Sequence, residues 1–379
     1  MQRQEIGEGP RMADLSVSIA IPVLNESERI ARVIETFRHS AYESIIEILV
    51  ADGGSKDRTR EIVCELATLD PRIRLIENPG RLQAVGLNLI LAQAKGSILL
   101  RADAHSDYAD DYVERSVEAL VHSGALNAGG AQRFVATSPF QAGQALAARS
   151  VLGSGGAKYR DPEYEGYAET VYLGCYWKDA LLQVGGWRPP VHPNEDAELN
   201  LRLSVGATLP RGAQPVGRLA IFVSRRVKVW YYPRLTWTGL WRQYFRYGRG
   251  RRITGLEHPG RSPIRSRLPL VVLSSAVVYA ALDLLAWHGR LQSRRFAAGA
   301  LVIWSVEALR VTWQYRKQFV ADIWRGDPCA APSFGRRSLW CLVALLTEPL
   351  AYFAGQVYQT LRVCLFWLSG RRGAALRLR

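Results

Sequence analysis

Ile98-Leu99-Leu100-Arg101-Ala102-Asp103-Ala104-His105 is an apolar run that ends in an acid, a one-residue spacer and an imidazole. If the run is a buried strand, Asp103 and His105 fall on one face just past its end, because side chains two apart share a face. A carboxylate and an imidazole placed so can share one divalent cation. Taken alone, the stretch reads equally well as a strand that stops at ordinary polar loop residues. The rest of the chain decides between the two.

Upstream, the same pattern repeats. Val17-Ser18-Ile19-Ala20-Ile21-Pro22-Val23 is continuous and apolar, as buried parallel strands are, and Asn25-Glu26-Ser27-Glu28 then opens a helix that runs to about Ser40. A second strand over residues 45–51 leads into Asp52-Gly53-Gly54-Ser55-Lys56-Asp57-Arg58-Thr59, where another helix begins. Ile73-Arg74-Leu75-Ile76 is a third strand, Asn78-Pro79-Gly80 a turn, residues 81–94 a helix and residues 97–100 a fourth strand. Strand–helix alternation of this kind predicts an α/β fold with a parallel sheet. Ligands of such sheets sit beyond the carboxyl ends of the strands. Residues 22–26, 52–57 and 103–105 all fall at such ends, so three acid-bearing loops converge on one edge.

Downstream come a helix over 111–122, a Gly-rich aromatic stretch over 129–174 and a buried strand at Tyr172-Leu173-Gly174-Cys175-Tyr176-Trp177. A Gly185-Gly186-Trp187 turn follows, then His192-Pro193-Asn194-Glu195-Asp196 leading into a helix over 197–203, and a strand over 227–232. There is no GxGxxG and no P-loop, which disfavours a dinucleotide oxidoreductase or an NTPase.

The composition adds bounds. The 379 residues carry a net charge of +15, which points to anionic partners: nucleic acid, a membrane surface or phosphorylated substrates. Residues 225–267 hold twelve Lys/Arg against one acid, Glu257. The cysteines (Cys64, Cys175, Cys329, Cys341 and Cys364) lie far apart without a CxxC pair, which argues against a disulfide framework or a zinc knuckle. Residues 1–16 are polar and lack the apolar core of a signal peptide, and Met12 is an alternative start.

After residue 267 the character changes. Residues 268–287 carry one charge, Asp283; residues 296–313 carry Glu307 and Arg310; residues 339–368 carry Glu348 and Arg362. About 20 apolar residues span a bilayer. The first segment fits that length, the second holds charges that are costly in a membrane, and the third is one long helix or two broken at Pro349. A buried helical domain is the competing reading. Trp and Tyr near the segment ends, with arginines flanking them, favour the membrane and turn the basic stretch before residue 268 to the cytoplasm.

Taken together, Pro22-Val23-Leu24-Asn25-Glu26, the Asp52 loop, residues 78–88 and Asp103-Ala104-His105 resemble the ordered loops of family 2 glycosyltransferases of the GT-A fold, over roughly residues 16–250. The Asp-Ala-His variant, Gly174-Cys175-Tyr176, Asn194-Glu195-Asp196 and Gln243-Tyr244-Phe245-Arg246-Tyr247-Gly248 are similar to the branch of succinoglycan-type exopolysaccharide glucosyltransferases, which are inner-membrane-attached. The resemblance implies a polar tail (1–15), an α/β GT-A catalytic domain with a Rossmann-like nucleotide-sugar-binding sheet (16–237), a basic interfacial segment (238–267) and a membrane-anchoring helical region of two to four spans (268–379).

It also implies roles. Pro22, Asn25, Glu26, Asp52, Arg81 and Asp103 would bind the nucleotide sugar, with Asp52 accepting from the uracil N3–H. Gly53 stands where the family often has a second acid, and Asp57 is an acid at a helix start. Asp103 and His105 would hold a divalent metal, Mn2+ in preference to Mg2+ because an imidazole is among the ligands. Asp196 would be the base that takes the acceptor proton, with Glu195 holding the loop or the acceptor. Gln243, Arg246, Tyr247 and Arg249 would approach the diphosphate or the acceptor; their helix also reads as an interfacial one whose arginines meet anionic headgroups.

The expected activity is inverting transfer of a sugar, glucose first, from a UDP-sugar to a membrane-borne, lipid-linked saccharide acceptor. The alternatives are another UDP-sugar, a polyprenyl-phosphate acceptor, or a non-catalytic membrane scaffold. A nucleic-acid partner is disfavoured because the basic excess hugs the membrane-like segments. Tyr247 stands where processive relatives carry the Trp of a Gln-x-x-Arg-Trp motif, so single-sugar addition is expected. The chain would sit multi-pass in the cytoplasmic membrane with its catalytic domain in the cytoplasm.

Overall fold

The computed structural model describes residues 15–189, 194–206, 220–261, 264–285 and 292–368. The tail over 1–14, His192 with Pro193, and the last residues of the first apolar segment lie outside that range. The chain forms two units: residues 1–133 with 161–230, and residues 134–160 with 231–379.

The first unit is built on one sheet. Its opening half is β1 (Val17–Val23), α1 (Ile30–Arg38), β2 (Ile45–Asp52), α2 (Thr59–Leu69), β3 (Ile73–Glu77), α3 (Gln83–Gln93), β4 (Ile98–Arg101) and β5 (Ser106–Tyr108), then α4 (Tyr112–Ser123) and β6 (Asn127–Phe134). After α5 (Pro139–Ala147) and α6 (Val151–Ser154) of the second unit, the sheet is completed by β7 (Gly166–Tyr167), β8 (Tyr172–Trp177), α7 (Lys178–Gln183), α8 (Glu195–Gly206) and β9 (Ile221–Tyr231). The strand order is β3-β2-β1-β4-β8-β6-β9-β5, with β7 on β9. The first four strands are parallel. The expected all-parallel sheet ends there, because β8 enters antiparallel between β4 and β6. Strands buried on both faces need continuous apolar sequence, and Ile19, Ile21, Ile48, Val50, Ile98 and Leu100 supply it from inside the core. Pro22 has no N–H to give and falls past the last β1–β4 pair, Ala20 with Arg101.

Several boundaries shift for local reasons. The first helix starts at Ile30 rather than Asn25, because Asn25 is left-handed (φ 55°). The third starts at Gln83, because Arg81 is left-handed as well (φ 55°). β4 runs one residue further than expected, to Arg101, and β9 begins at Ile221. The helix expected over 197–203 begins two residues earlier, at Glu195.

The second unit adds α9 (Trp237–Glu257), α10 (Leu268–Leu285), α11 (Ser293–Gln314) and α12 (Phe334–Leu368). Three helices, Leu268–Leu285, Ser293–Gln314 and Phe334–Leu365, are long and apolar enough to cross a membrane. α10 shows apolar side chains to the outside almost all round, including Val271, Val272, Val277, Val278 and Leu284. α12 is the centre of the unit and packs on α5, α9 and α11. Gly248 on α9 lies against the Tyr352 carbonyl and Gly355 on α12 against the Phe245 carbonyl, so no Cβ fits at either place and the two backbones come close.

α12 is one continuous helix through Pro349, which settles the two readings of that segment. A proline inside a helix leaves the carbonyl four residues back without its donor. That carbonyl is Leu345 O, and the Trp304 indole on α11 donates to it at 3.1 Å. Three of the charges within the apolar segments also have partners. Asp283 accepts from the Ser293 amide at the start of α11 (2.8 Å), and Glu307 pairs with Arg310 (2.6 Å) and accepts from Ser150 (2.6 Å).

Candidate active site

The carboxyl ends of β1, β2 and β4 are in register: Val23 pairs with Asp52, and Ala20 with Arg101. Gly53 N–H donates to Val23 O (2.9 Å), which draws the β1 and β2 loops together. Side chains then lace these loops. Asn25 accepts from the Lys56 amide (2.8 Å), its own amide donates to Ser55 (2.8 Å), and the Glu26 amide donates to Thr59 (2.8 Å). Asp57 accepts from the Ser27 and Thr59 amides (3.0 and 3.1 Å) and the Thr59 hydroxyl (2.5 Å). These bonds, led by the Thr59 hydroxyl, pull the Asp57 carboxyl down to about 2.

Asp52 is buried, and its carboxylate is committed to its own loop. It accepts from the Gly54 amide (3.0 Å), the Ser55 amide (3.1 Å), the Ser55 hydroxyl (2.5 Å) and Arg60 (3.2 Å). Arg81 lies beside Gly54, where a Cβ would sit 3.6 Å from Arg81 Nε. Arg81 is exposed and makes no ion pair with any described residue. The left-handed backbone at both Asn25 and Arg81 concentrates strain at this edge, which is common where a ligand is held.

Asp103 follows β4 and is 5% exposed. Its backbone is pinned by Tyr108, whose hydroxyl accepts from the Asp103 amide (2.6 Å) and donates to the Asp103 carbonyl (2.8 Å). Tyr108 is itself fixed in an aromatic cluster with Phe37 and Tyr112, at centroid distances of 5.0 and 4.8 Å. The Asp103 carboxylate accepts from Gln83 (3.3 Å) and from Arg101 (3.1 Å). His105 is half-buried in the turn between β4 and β5. The donor set of Asp103 and His105, one carboxylate and one imidazole on a single tight turn, is chemically suited to a divalent transition metal. Three of the four hydrogen bonds from Gln83 and Arg101 fall on Oδ1 and only one, at 3.4 Å, on Oδ2, so Oδ2 is the oxygen open to a cation.

Arg101 was not expected at the site. It is a buried arginine at the end of an apolar strand, and it joins Asp103 to Asp196 on α8, where its Nη1 meets Asp196 Oδ2. Burial works against the Arg101 charge, but the Asp103 and Asp196 carboxylates outweigh it and keep the guanidinium protonated. The other Asp196 oxygen accepts from the Trp187 indole (3.0 Å). Trp187 is held in turn by Asn88 on α3, which donates to the Trp187 carbonyl (2.7 Å) and accepts from its amide (2.8 Å). Arg202 on α8 donates to the Gly186 carbonyl (2.7 Å) and fixes the Gly-Gly turn, where both glycines have positive φ. Burial raises the Asp196 carboxyl above its ordinary value, and the neighbouring Glu195 pushes the same way, while Arg101 and Trp187 pull it back.

The α9 residues form a separate group within the second unit. Gln243 donates to both Tyr231 Oη (3.0 Å) and Tyr247 Oη (2.9 Å). Arg246 is exposed and makes no ion pair with any described residue. Arg249 faces α12 instead, with Nε donating to Gln359 (3.3 Å) and the guanidinium 5.0 Å from the Tyr358 ring centre. So the structure joins Gln243 to Tyr247 but turns Arg249 away from them.

Comparison with known proteins gives this arrangement a family. The family model "Glycosyl transferase family 2" matches residues 18–177. Succinoglycan biosynthesis protein ExoA of Rhizobium meliloti (strain 1021) is 38% identical over 263 residues, covering 69% of this chain and 76% of that protein. The chain belongs to glycosyl transferase family 2. A second family relative, Glycosyltransferase AglE of Haloferax volcanii, is 32% identical over 120 residues, 31% of this chain and 40% of that protein. Among solved structures, the mannosyltransferase PcManGT from Pyrobaculum calidifontis, in complex with GDP-Man and Mn2+, superposes with a TM-score of 0.50 at 16% identity, over 88% of this chain and 87% of that one. That likeness is one of fold: the mixed sheet with flanking helices is GT-A-like, and the chain is a family 2 glycosyltransferase.

Sequence reasoning missed Arg101, Trp187, Asn88 and Gln83. The one available signal was Arg101 itself, since an arginine at the end of an otherwise apolar buried strand needs acidic partners.

Proposed function

We propose that this chain is an inverting hexosyltransferase of exopolysaccharide synthesis, moving a sugar, glucose first, from a UDP-sugar to a lipid-linked saccharide at the cytoplasmic membrane. The observation that carries the reading is the gathering of Asp52, Arg81 and Asp103 on one sheet edge, with Asp196 tied to Asp103 through Arg101. The similarity to a succinoglycan biosynthesis protein supports the pathway class, and the three long apolar helices support membrane attachment.

In this reading the loops of Pro22, Asn25, Glu26 and Asp52 shape the nucleoside pocket, and Arg81, which has no ion pair among the described residues, meets the diphosphate. Asp103 and His105 would hold a divalent metal, Mn2+ before Mg2+ given the imidazole. When bound, that ion neutralises the diphosphate and makes it a better leaving group. Asp196 accepts the proton of the acceptor hydroxyl as its oxygen bonds to the sugar C1 and the C1–O bond to UDP breaks. Its raised pKa suits a base, and its two fixed oxygens keep it in one orientation. Glu195 stands beside it and holds the loop or the acceptor. Gln243, Tyr247 and Arg246 on the basic α9 are the candidates for binding the acceptor or the diphosphate, and Arg249 ties α9 to α12.

The test is UDP release by detergent-purified protein from a panel of UDP-sugars, with Mn2+, Mg2+ or EDTA, and a native membrane extract as acceptor. Release from one donor, requiring metal and lost in Asp103→Ala, is the expected result. Silence across the panel favours a non-catalytic scaffold.

A further inference from the structure

We propose that Arg101 is a positioning residue for the transfer: it fixes the metal carboxylate Asp103 and the base Asp196 relative to each other, and its charge holds down the affinity of the site for the divalent cation. This rests on the reading of Asp103 as a metal ligand and Asp196 as the base.

The geometry uses the whole guanidinium fork. Nε and Nη2 donate to Asp103 Oδ1 (3.3 and 3.1 Å), and Nη1 donates to Asp196 Oδ2. A planar fork with donors on three nitrogens can bridge two carboxylates at a set spacing; a lysine ammonium, a point charge on a flexible stem, cannot. Arg101 is the last residue of β4 and pairs with Ala20 of the neighbouring strand, so the fork stands on a rigid frame. Its side chain is 6% exposed, whereas that of Asp196 is 37% exposed, so the base is held from the inside and left open on the outside.

The charge follows from the same contacts. Asp103 and Asp196 alone carry two negative charges, and Arg101 reduces them to one. A guanidinium within hydrogen-bond distance of Asp103 repels a doubly charged cation on the same carboxylate. At a separation of about 5 Å that repulsion changes affinity by on the order of tenfold even with water-like screening. The predicted signature is a split: a neutral residue at position 101 tightens metal binding while slowing turnover. A purely structural arginine would weaken both together.

The experiment uses the full chain in detergent, with Mn2+ titrated alone and the free ion read by electron paramagnetic resonance, and UDP release measured in parallel. Arg101→Met is expected to bind Mn2+ on the order of tenfold more tightly and to turn over about 100-fold more slowly with donor KM little changed. Arg101→Lys keeps the charge and loses the fork, so it is expected to bind Mn2+ as the native protein does and still turn over slowly. Unchanged or weaker Mn2+ binding by Arg101→Met, with Asp103→Asn weaker than native, overturns the proposal alone. Equal Mn2+ binding by native protein and Asp103→Asn overturns the reading of the metal site beneath it. If Arg101→Met does not fold, Arg101→Lys decides: native turnover in that variant rejects the fork.

Discussion

Each of the two units sets an arginine among polar and aromatic side chains, Arg101 buried and Arg160 half-buried, and the two are used differently. In the α/β unit Arg101 sits at a strand end between Asp103 and Asp196, and the latter keeps an open side toward solvent. In the helical unit Arg160 donates from Nη1 and Nη2 to the Tyr244 hydroxyl (both 3.2 Å) and packs 5.5 Å from the centre of the Phe134 ring. Glu348 of α12 is 3% exposed. The first cluster leaves an acid accessible; the second keeps its acid, Glu348, away from solvent. Chemistry needs a polar group that can still be reached, whereas a helix core needs its charges satisfied and sealed.

Breaking the open cluster is expected to have the larger effect on turnover and little on folding. Asp196→Asn is expected to lower turnover by about 100- to 10,000-fold, the range for loss of a general base, with an unchanged melting temperature. An acid limb in the pH profile is expected with Asp196 as the proposed base. Its folded pKa lies above the ordinary aspartate value, so native turnover falls as pH drops through that raised value, well before an unperturbed aspartate would protonate. A pH–rate profile of UDP release with no acid limb above about pH 4 would remove Asp196 from the role.

The closed cluster should respond in the opposite sense. Arg160→Ala removes two donors to the Tyr244 hydroxyl and Glu348→Ala empties a buried site, and each is expected to cost about 1–3 kcal/mol of stability. Arg160→Met combined with Glu348→Gln should recover much of that loss, read by thermal melting in detergent. If either single variant melts normally and loses only turnover, the contrast between the clusters fails.

A smaller effect is expected at the proline of α12. Trp304→Phe removes the donor to Leu345 O and is expected to destabilise the helical unit by about 1–3 kcal/mol, the cost of an unsatisfied buried acceptor. Urea unfolding followed by Trp fluorescence, with the double variant Trp304→Phe and Pro349→Ala as control, separates this from loss of packing, because alanine restores the backbone donor.

The smallest effect belongs to the loop clasp. The Asp57 carboxyl is depressed to about 2, so its stabilisation is fully present above the unfolded value and is lost as pH falls toward 2. Asp57→Asn is expected to show a slightly shallower loss of stability between about pH 4 and pH 2 than the native chain. Identical acid melts would mean that the clasp over residues 25–27 and 57–59 adds nothing measurable.

Much of the α/β unit was legible because buried parallel strands leave a continuous apolar signature, and the loops after β1, β2 and β4 carry acids at their ends. The antiparallel entry of β8 was not, since Tyr172–Trp177 is as apolar as the strands beside it and nothing in that pattern encodes direction. The left-handed residues Asn25 and Arg81 delayed two helix starts for a similar reason: the residues that follow them have ordinary helical character.

By itself the sequence determined which residue types stand at the strand ends, that three apolar segments follow residue 267, and the order of the loops that marks the family. Local chemistry and periodicity are written in neighbouring residues, so they survive without a fold. The tertiary structure alone decided that Arg101 joins Asp103 to Asp196 across 95 positions of chain, that Asn88 holds Trp187 across 99, and that Trp304 serves the carbonyl freed by Pro349. Those contacts are set by how strands and helices pack, and packing brings together residues whose separation along the chain carries no signal.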